Sequence, residues 1–420
     1  MRQRRKPINW FLVVILSLLI VGMVYVDRVV APGITPPFLP TPTVTRDPAS
    51  FVSEAQDLFN QGKFAKSIDT YNEAIRINPS DATLYVAIAQ VQIYAGKYDD
   101  ALTSSENALL LNADNSMAYA VHAWALDKKA SLAATPDFSD ADTSIKKALS
   151  LDANNGIAHA YYAFLLGDMF QNNAGPYTDP IQNAIAESNA AISLAPDRLE
   201  SHWARAYILN LTGNNEQSIQ EYLNAIQISP NIADLHLDLG ITYRAVGDID
   251  KALEQYQLAN TLNPTDYRPS LYSSRALAAI GDYAKAIQYA QQAVTNLPTN
   301  AYLRGNLGVW QFKYFQWPDA LTQLSLTVNG GQSDDGQIIQ PQPLTGGDPR
   351  IAQYYYTYAI LLAKNDRCSE ALPITQQLMK TVPNDSDALY NAQYVIDQCQ
   401  AALGKPSAVP SATPKTTPTP

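Results

Sequence analysis

The sequence predicts an all-α protein: an α-solenoid of about nine stacked helix-turn-helix repeats, closed by a C-terminal capping helix and preceded by one transmembrane helix. Three observations carry this expectation. A phrase recurs as GKFAKSIDTYNEAIRINP (62–79), GKYDDALTSSENALLLNA (96–113), GDIDKALEQYQLANTLNP (247–264) and GDYAKAIQYAQQAVTNLP (281–298). Each copy sets apolar residues at helical spacing, so one face of a helix is greasy and the other polar. Ahead of them all, Asn9 to Val26 runs for 18 residues without a charge.

In chain order, residues 1–8 form a basic stub with Arg2, Arg4, Arg5 and Lys6, and residues 9–26 form the anchor. At about 1.5 Å rise per residue the anchor approaches the roughly 30 Å of hydrocarbon in a bilayer. A cleaved secretory signal is the competing reading, but Val29-Val30-Ala31 is a poor cleavage pattern and Pro32 follows it. Basic residues stay cytoplasmic, which puts the N-terminus inside and the body in the extracytoplasmic space, a single-pass arrangement. Residues 27–47 are a Pro/Thr-rich linker and 404–420 a tail of the same composition; neither can bury a core.

The formal net charge is −10, and setting aside the four basic residues of the stub leaves −10 − 4 = −14. So acidic a body excludes nucleic acid as an expected partner, because phosphates need a basic face. A protein or peptide is the expected partner instead.

Between 48 and 403 the units begin near Pro48, Ala82, Ser116, Gly156, Leu199, Ala233, Tyr267, Ala301 and Ala352, most of them 34 residues apart. In the unit from Ala233 to Asp266 the first helix carries Gly240, where a neighbour must come close, and Gly247-Asp248 breaks it. A second helix runs through Ala252, Tyr256 and Ala259 until Asn263-Pro264 stops it. One such hairpin cannot cover its own apolar faces, so the units must stack. Longer loops interrupt the period at 130–137, 171–180 and 330–349, and a last unpaired helix from Ser386 to Leu403 offers Asp387, Asn391 and Gln398 as the polar outer face of a cap.

This pattern resembles the tetratricopeptide repeat family. Its W-x2-L-G-x2-Y, A-x3-F, A and P signature reads here as Leu239-Gly240-Tyr243, Ala252-Tyr256, Ala259 and Pro264, with parts kept in Leu307-Gly308-Ala320, Ala206-Tyr222-Ala225-Pro230 and Ala286-Ala293-Pro298. The resemblance implies a right-handed superhelix and a non-enzymatic role in protein–protein interaction. It also implies that the first helix of each repeat lines a concave groove through its second, fifth, ninth and twelfth positions. Those positions carry Trp124, Phe164, Trp203 and Tyr207 in repeats three to five, then Arg244, Arg268 and Arg275 in repeats six and seven. Aromatic area beside forked donors suits a peptide with apolar side chains followed by acidic ones, or a free C-terminus. The bland alternative is that the aromatics pack and the arginines pair with Glu200, Asp234 or Asp238.

No catalytic motif is present: there is no Walker loop, GxGxxG, GxSxG or HExxH. His159, His202 and His236 recur at the fourth position of consecutive repeats, but helices packed about 8–10 Å apart cannot bring them onto one zinc ion. They read as packing residues, as does His122, and no metal or cofactor is expected. The acidic pairs Asp99-Asp100 and Asp334-Asp335 read as solvated charges. Cys368, near the start of the second helix of repeat nine, and Cys399, near the end of the cap, lie at neighbouring ends of antiparallel helices. They form either a disulfide, as an oxidising compartment permits, or two buried thiols. The expected function is a membrane-tethered scaffold in the cell envelope. The alternatives are self-association through the cap or QYYYTY (353–358), or a glycan-binding or enzymatic module on the inserted loops.

Overall fold

The computed structural model describes residues 9–30, 46–133 and 135–402; the basic stub (1–8), the greater part of the linker (31–45) and the tail (404–420) lie outside the described residues. The N-terminal unit is one helix, α1 (Trp10–Tyr25), which runs on as a π-helical turn to Val30, four residues into the stretch assigned to the linker. Trp10–Val29 has a mean hydropathy of 2.4 and is long and apolar enough to cross a membrane.

The second unit is a series of helix hairpins. Repeats one to five are α2 (Pro48–Asn60) with α3 (Phe64–Ile77), α4 (Ala82–Tyr94) with α5 (Tyr98–Leu111), α6 (Ser116–Ser131) with α7 (Ser139–Leu151), α8 (Gly156–Asn172) with α9 (Pro180–Leu194), and α10 (Leu199–Leu211) with α11 (Asn215–Ile228). Repeats six to nine are α12 (Ala233–Ala245) with α13 (Ile249–Leu262), α14 (Arg268–Ala279) with α15 (Tyr283–Asn296), α16 (Ala301–Lys313) with α17 (Trp317–Asn329), and α18 (Pro349–Lys364) with α19 (Cys368–Thr381). The last helix, α20 (Ser386–Ala402), packs on both α18 and α19. The ninth repeat starts three residues before the expected Ala352, because Pro349 fits the first helical position and Asp348 caps it by accepting from the Arg350 amide.

Every second helix places a small residue at one equivalent position: Ser67, Ala101, Ala141, Ala184, Ser218, Ala252, Ala286, Ala320 and Ala371, none more than 1% exposed. Small side chains there let the two helices of a hairpin nest. Where serine replaces alanine, its hydroxyl donates to the facing helix, Ser67 to the Ala55 carbonyl and Ser218 to that of Ala206, both at 2.7 Å. At Gly240 the close approach comes from within the hairpin: an added Cβ would lie 2.6 Å from the Tyr256 ring.

The turn inside the hairpin needs a left-handed residue, supplied by Gly62, Gly96, Gly213, Gly247 and Gly281 at φ between 71° and 84°. Repeats eight and nine use Phe315 (φ 63°) and Asp366 (φ 59°) instead.

The insert at 330–349 is a short antiparallel hairpin, Gly331–Gln332 paired with Ile338–Ile339. It is bound down by the Gln342 amide, which donates to the Thr327 carbonyl at 2.8 Å, and by the Tyr355 hydroxyl, which donates to the Gln342 carbonyl at 2.7 Å. Tyr354, Tyr355 and Tyr358 are core residues, so QYYYTY does not offer the stacking surface considered for it. Cys368 and Cys399 are joined by a disulfide, their Cα atoms 5.5 Å apart, which ties α20 to α19.

Candidate functional site

The histidines of the repeats are structural. At the fourth position of five of the first helices, a side chain reaches back to the carbonyl six residues earlier. His202 Nε2 lies 2.7 Å from the Pro196 carbonyl, His236 Nε2 2.9 Å from that of Pro230, and His159 Nε2 3.0 Å from that of Ala153. The other ring nitrogen meets the second helix, at Glu221, Gln255 and Glu187 respectively. Arg304 does the same with Pro298 and Gln323, and Tyr85 reaches Pro79. Each such residue pins its own hairpin to the loop that enters it. His122 is partly buried beside the Ser144 hydroxyl at 3.0 Å. The Asp335 carboxylate is used within the insert, accepting from Ser333 and Gln337.

The first six repeats curl far enough for their ends to meet. The Asn231 side chain, in the loop entering α12, donates to the Asn60 carbonyl in the turn of repeat one at 2.8 Å. Inside this turn lies a cavity of about 370 Å³, bounded by the first helices of repeats two to seven. Its size is at the lower end of the range for small-molecule pockets.

Five of the seven residues expected in the groove line this cavity: Trp124, Phe164, Trp203, Tyr207 and Arg268. The first three are buried and the last two partly so. Arg244 is exposed on α12 away from the cavity. Arg275 lies behind the wall, packed over Tyr302 and donating to the Tyr302 hydroxyl at 2.7 Å.

The rings form a continuous chain. Tyr94 meets Trp124 edge-on with centroids 5.1 Å apart, and Trp203 meets Phe164 edge-on at 5.6 Å. Tyr94 also stacks on Trp203 at 6.2 Å, a contact between repeats two and five that the curl of the solenoid makes possible. Trp124 stacks on Tyr161 behind it.

Charges are set among these rings: the pairing of Arg268 with Asp234 is the alternative the sequence offers, whereas the cluster of Lys128, Asp127 and Asp168 is not read from it. Lys128 Nζ lies 3.2 Å from Asp127 and 3.0 Å from Asp168, and 5.5 Å from the centre of the Phe164 ring. Asp168 also accepts from the Tyr207 hydroxyl. Arg268 bridges Asp234 at 2.6 Å and Asp266 at 2.7 Å. Asp238 Oδ2 accepts from Trp203 Nε1 at 2.9 Å. Burial pushes the Asp127 carboxyl up to about 8 and that of Asp238 up to about 7, in each case with a neighbouring aspartate adding to the effect. Burial works against the Lys128 charge, but the carboxylates of Asp127 and Asp168 outweigh it and raise its pKa. Lys128 and Asp168 occupy the thirteenth position of their repeats and Asp238 the sixth, outside the four positions used for the groove. The signal available was a lone charge inside an apolar run, as Asp168 stands in FLLGDMF.

Comparison with known proteins follows this geometry. Residues 55–93 and 206–247 match a family model described as TPR repeat, and residues 237–301 one described as tetratricopeptide repeat. No curated protein matches the chain. Among solved structures the fold is similar to the human IFIT1 dimer with m7Gppp-AAAA, at 15% identity and a TM-score of 0.56, over 82% of this chain and 80% of that one. A tetratricopeptide repeat protein from Parabacteroides merdae is similar at 14% identity and a TM-score of 0.40, over 63% of this chain and 98% of that one. Yeast Tom70 is similar at 13% identity and a TM-score of 0.38, over 85% and 96%.

Proposed function

We propose that this chain, a protein of the tetratricopeptide repeat family, is a non-enzymatic scaffold that is tethered to a membrane by residues 9–26 and binds a protein or peptide partner on its concave face outside the cytoplasm. The observation that carries the reading is the partly open aromatic cavity lined by repeats two to seven, with Trp124, Phe164, Trp203 and Tyr207 in its walls. Rigid aromatic anchors in a recess are what interface hot spots are made of. Tethering is supported by the apolar helix at Trp10–Val29. An oxidising location is supported by the Cys368–Cys399 bond, since such bonds persist outside the cytoplasm.

The IFIT1 structure is a complex with m7Gppp-AAAA. That ligand class is not carried over here, because the cations lining this cavity are already shared between carboxylates and a polyphosphate would meet net negative charge. Self-association is a second reading, favoured by Tyr390 (57% exposed) and Tyr394 (38%) on the open face of α20.

The test is capture of partners from membranes by the full chain, beside a Trp203→Ala, Tyr207→Ala variant whose helicity is verified by circular dichroism. The reading expects a partner retained by the parent and lost by the folded variant. Equal recovery by both would move binding off the concave face.

A further inference from the structure

The cavity is short of positive charge. Lys128 serves two carboxylates, Asp127 and Asp168, and Arg268 serves two more, Asp234 and Asp266. Asp238 is held by the neutral Trp203 N–H. Among the residues that line the cavity, three carboxylates (Asp168, Asp234 and Asp238) stand against two cations (Lys128 and Arg268), so Asp238 has no cation of its own. Burial is the main cause of the raised carboxyl pKa of Asp238, and the neighbouring Asp234 adds to it.

The walls favour a particular remedy. Aromatic faces attract cations, and the Lys128 ammonium already sits over the Phe164 ring. Among the described residues no group of three or more His, Cys, Asp or Glu is placed to hold a metal ion, whereas the aromatic walls suit the alkyl stem of an organic cation. Asp238 has one oxygen occupied by Trp203 Nε1, which leaves a single open acceptor better matched to the point charge of an ammonium than to a two-pronged guanidinium. Trp124, 3% exposed, adds ring area to the same wall.

We propose that the cavity binds an alkylammonium ion, with the charge against Asp238 and the alkyl stem along Trp203 and Phe164. It rests on reading the concave face as a binding surface, and it replaces the acidic ligand expected from Arg268 with a basic one. A lysine side chain of a peptide and a free alkylamine share this chemistry.

The experiment titrates the full chain in detergent micelles and follows tryptophan fluorescence, since Trp124 and Trp203 both lie in the wall. The probes are n-butylammonium, Nα-acetyl-lysine amide and, as the anionic counterpart, butyrate. Saturable responses to the amines and none to butyrate are expected. Asp238→Asn, which keeps an acceptor for Trp203, should weaken the amines at least ten-fold, while Leu258→Ala on α13 leaves them unchanged. Tighter binding of the acetyl-lysine amide than of butylammonium assigns the site to a lysine-bearing peptide; the reverse assigns it to a free amine. No saturable response to either amine, equal binding by Asp238→Asn, or a preference for butyrate overturns the proposal. Should Asp238→Asn fail to fold, the choice between butylammonium and butyrate by the parent chain decides it alone. Amine binding that persists while membrane capture finds no partner would sink the scaffold reading and leave this one standing.

Discussion

Each fourth-position histidine makes two contacts, one through each ring nitrogen. In His159 both ring nitrogens face acceptors, the Ala153 carbonyl and the Glu187 carboxylate, so the ring must donate twice and is an imidazolium when both bonds are made. The hydrogen bond to Glu187 raises its pKa above the usual value near 6.5, against the opposing effect of burial. A cation whose folded pKa is raised contributes stability that is complete below its unfolded pKa and lost as pH rises through the folded one. His159→Gln should therefore cost about 1.5–3 kcal/mol at pH 6, the range for hydrogen bonds to charged groups, and much less at pH 9. Urea unfolding at both pH values measures this; a difference that does not change with pH would contradict it. The recurrence of these histidines was legible in the sequence, and so was the impossibility of a shared zinc ion. Their reach back across the entering loop was not, because it depends on the angle between hairpin and loop.

At the scale of the element, the hairpins explain why the period of 34 was readable. Eight of the nine first helices start at or within one residue of the expected positions, since Gly or Asn turns and Pro stops punctuate each copy. What escaped was where a different residue takes over a glycine's task. Phe315 holds φ 63° in the turn of repeat eight with its ring 79% exposed, so it accepts backbone strain and buries little in return. Phe315→Asn should stabilise the chain by up to about 1 kcal/mol, read as a shift in the urea midpoint; destabilisation would mean that the ring contact with Trp317 outweighs the strain. The cap is governed by another local device. A disulfide closing a loop with a sequence separation of 31 should stabilise by about 3–4 kcal/mol. On reduction, amide exchange should speed up in α20 first, while α12 to α15 keep their protection. Uniform acceleration along the chain would contradict a local role for the bond.

Across the whole of the second unit, the property that matters is curl. Equivalent positions in successive repeats could be read from the sequence, and with them Trp124, Phe164, Trp203, Tyr207 and Arg268, because a periodic chain repeats its faces. How far the stack bends could not. That bend brings Asn231 to Asn60 and Tyr94 to Trp203, and so deepens a groove into a partly open cavity. It also decides which charges find partners: Arg268 reaches Asp234 of the preceding repeat, and Arg275 is diverted to Tyr302 of the following one, so neither is left for an acidic ligand.

The most direct test of concave-face binding is a photo-crosslinking amino acid placed at Gln171, exposed at the rim of the cavity, compared with one at Leu258, exposed on α13. Irradiated in living cells, the chain should acquire a discrete adduct through position 171 and none through 258. Adducts through 258 alone, or equally through both, would contradict the account.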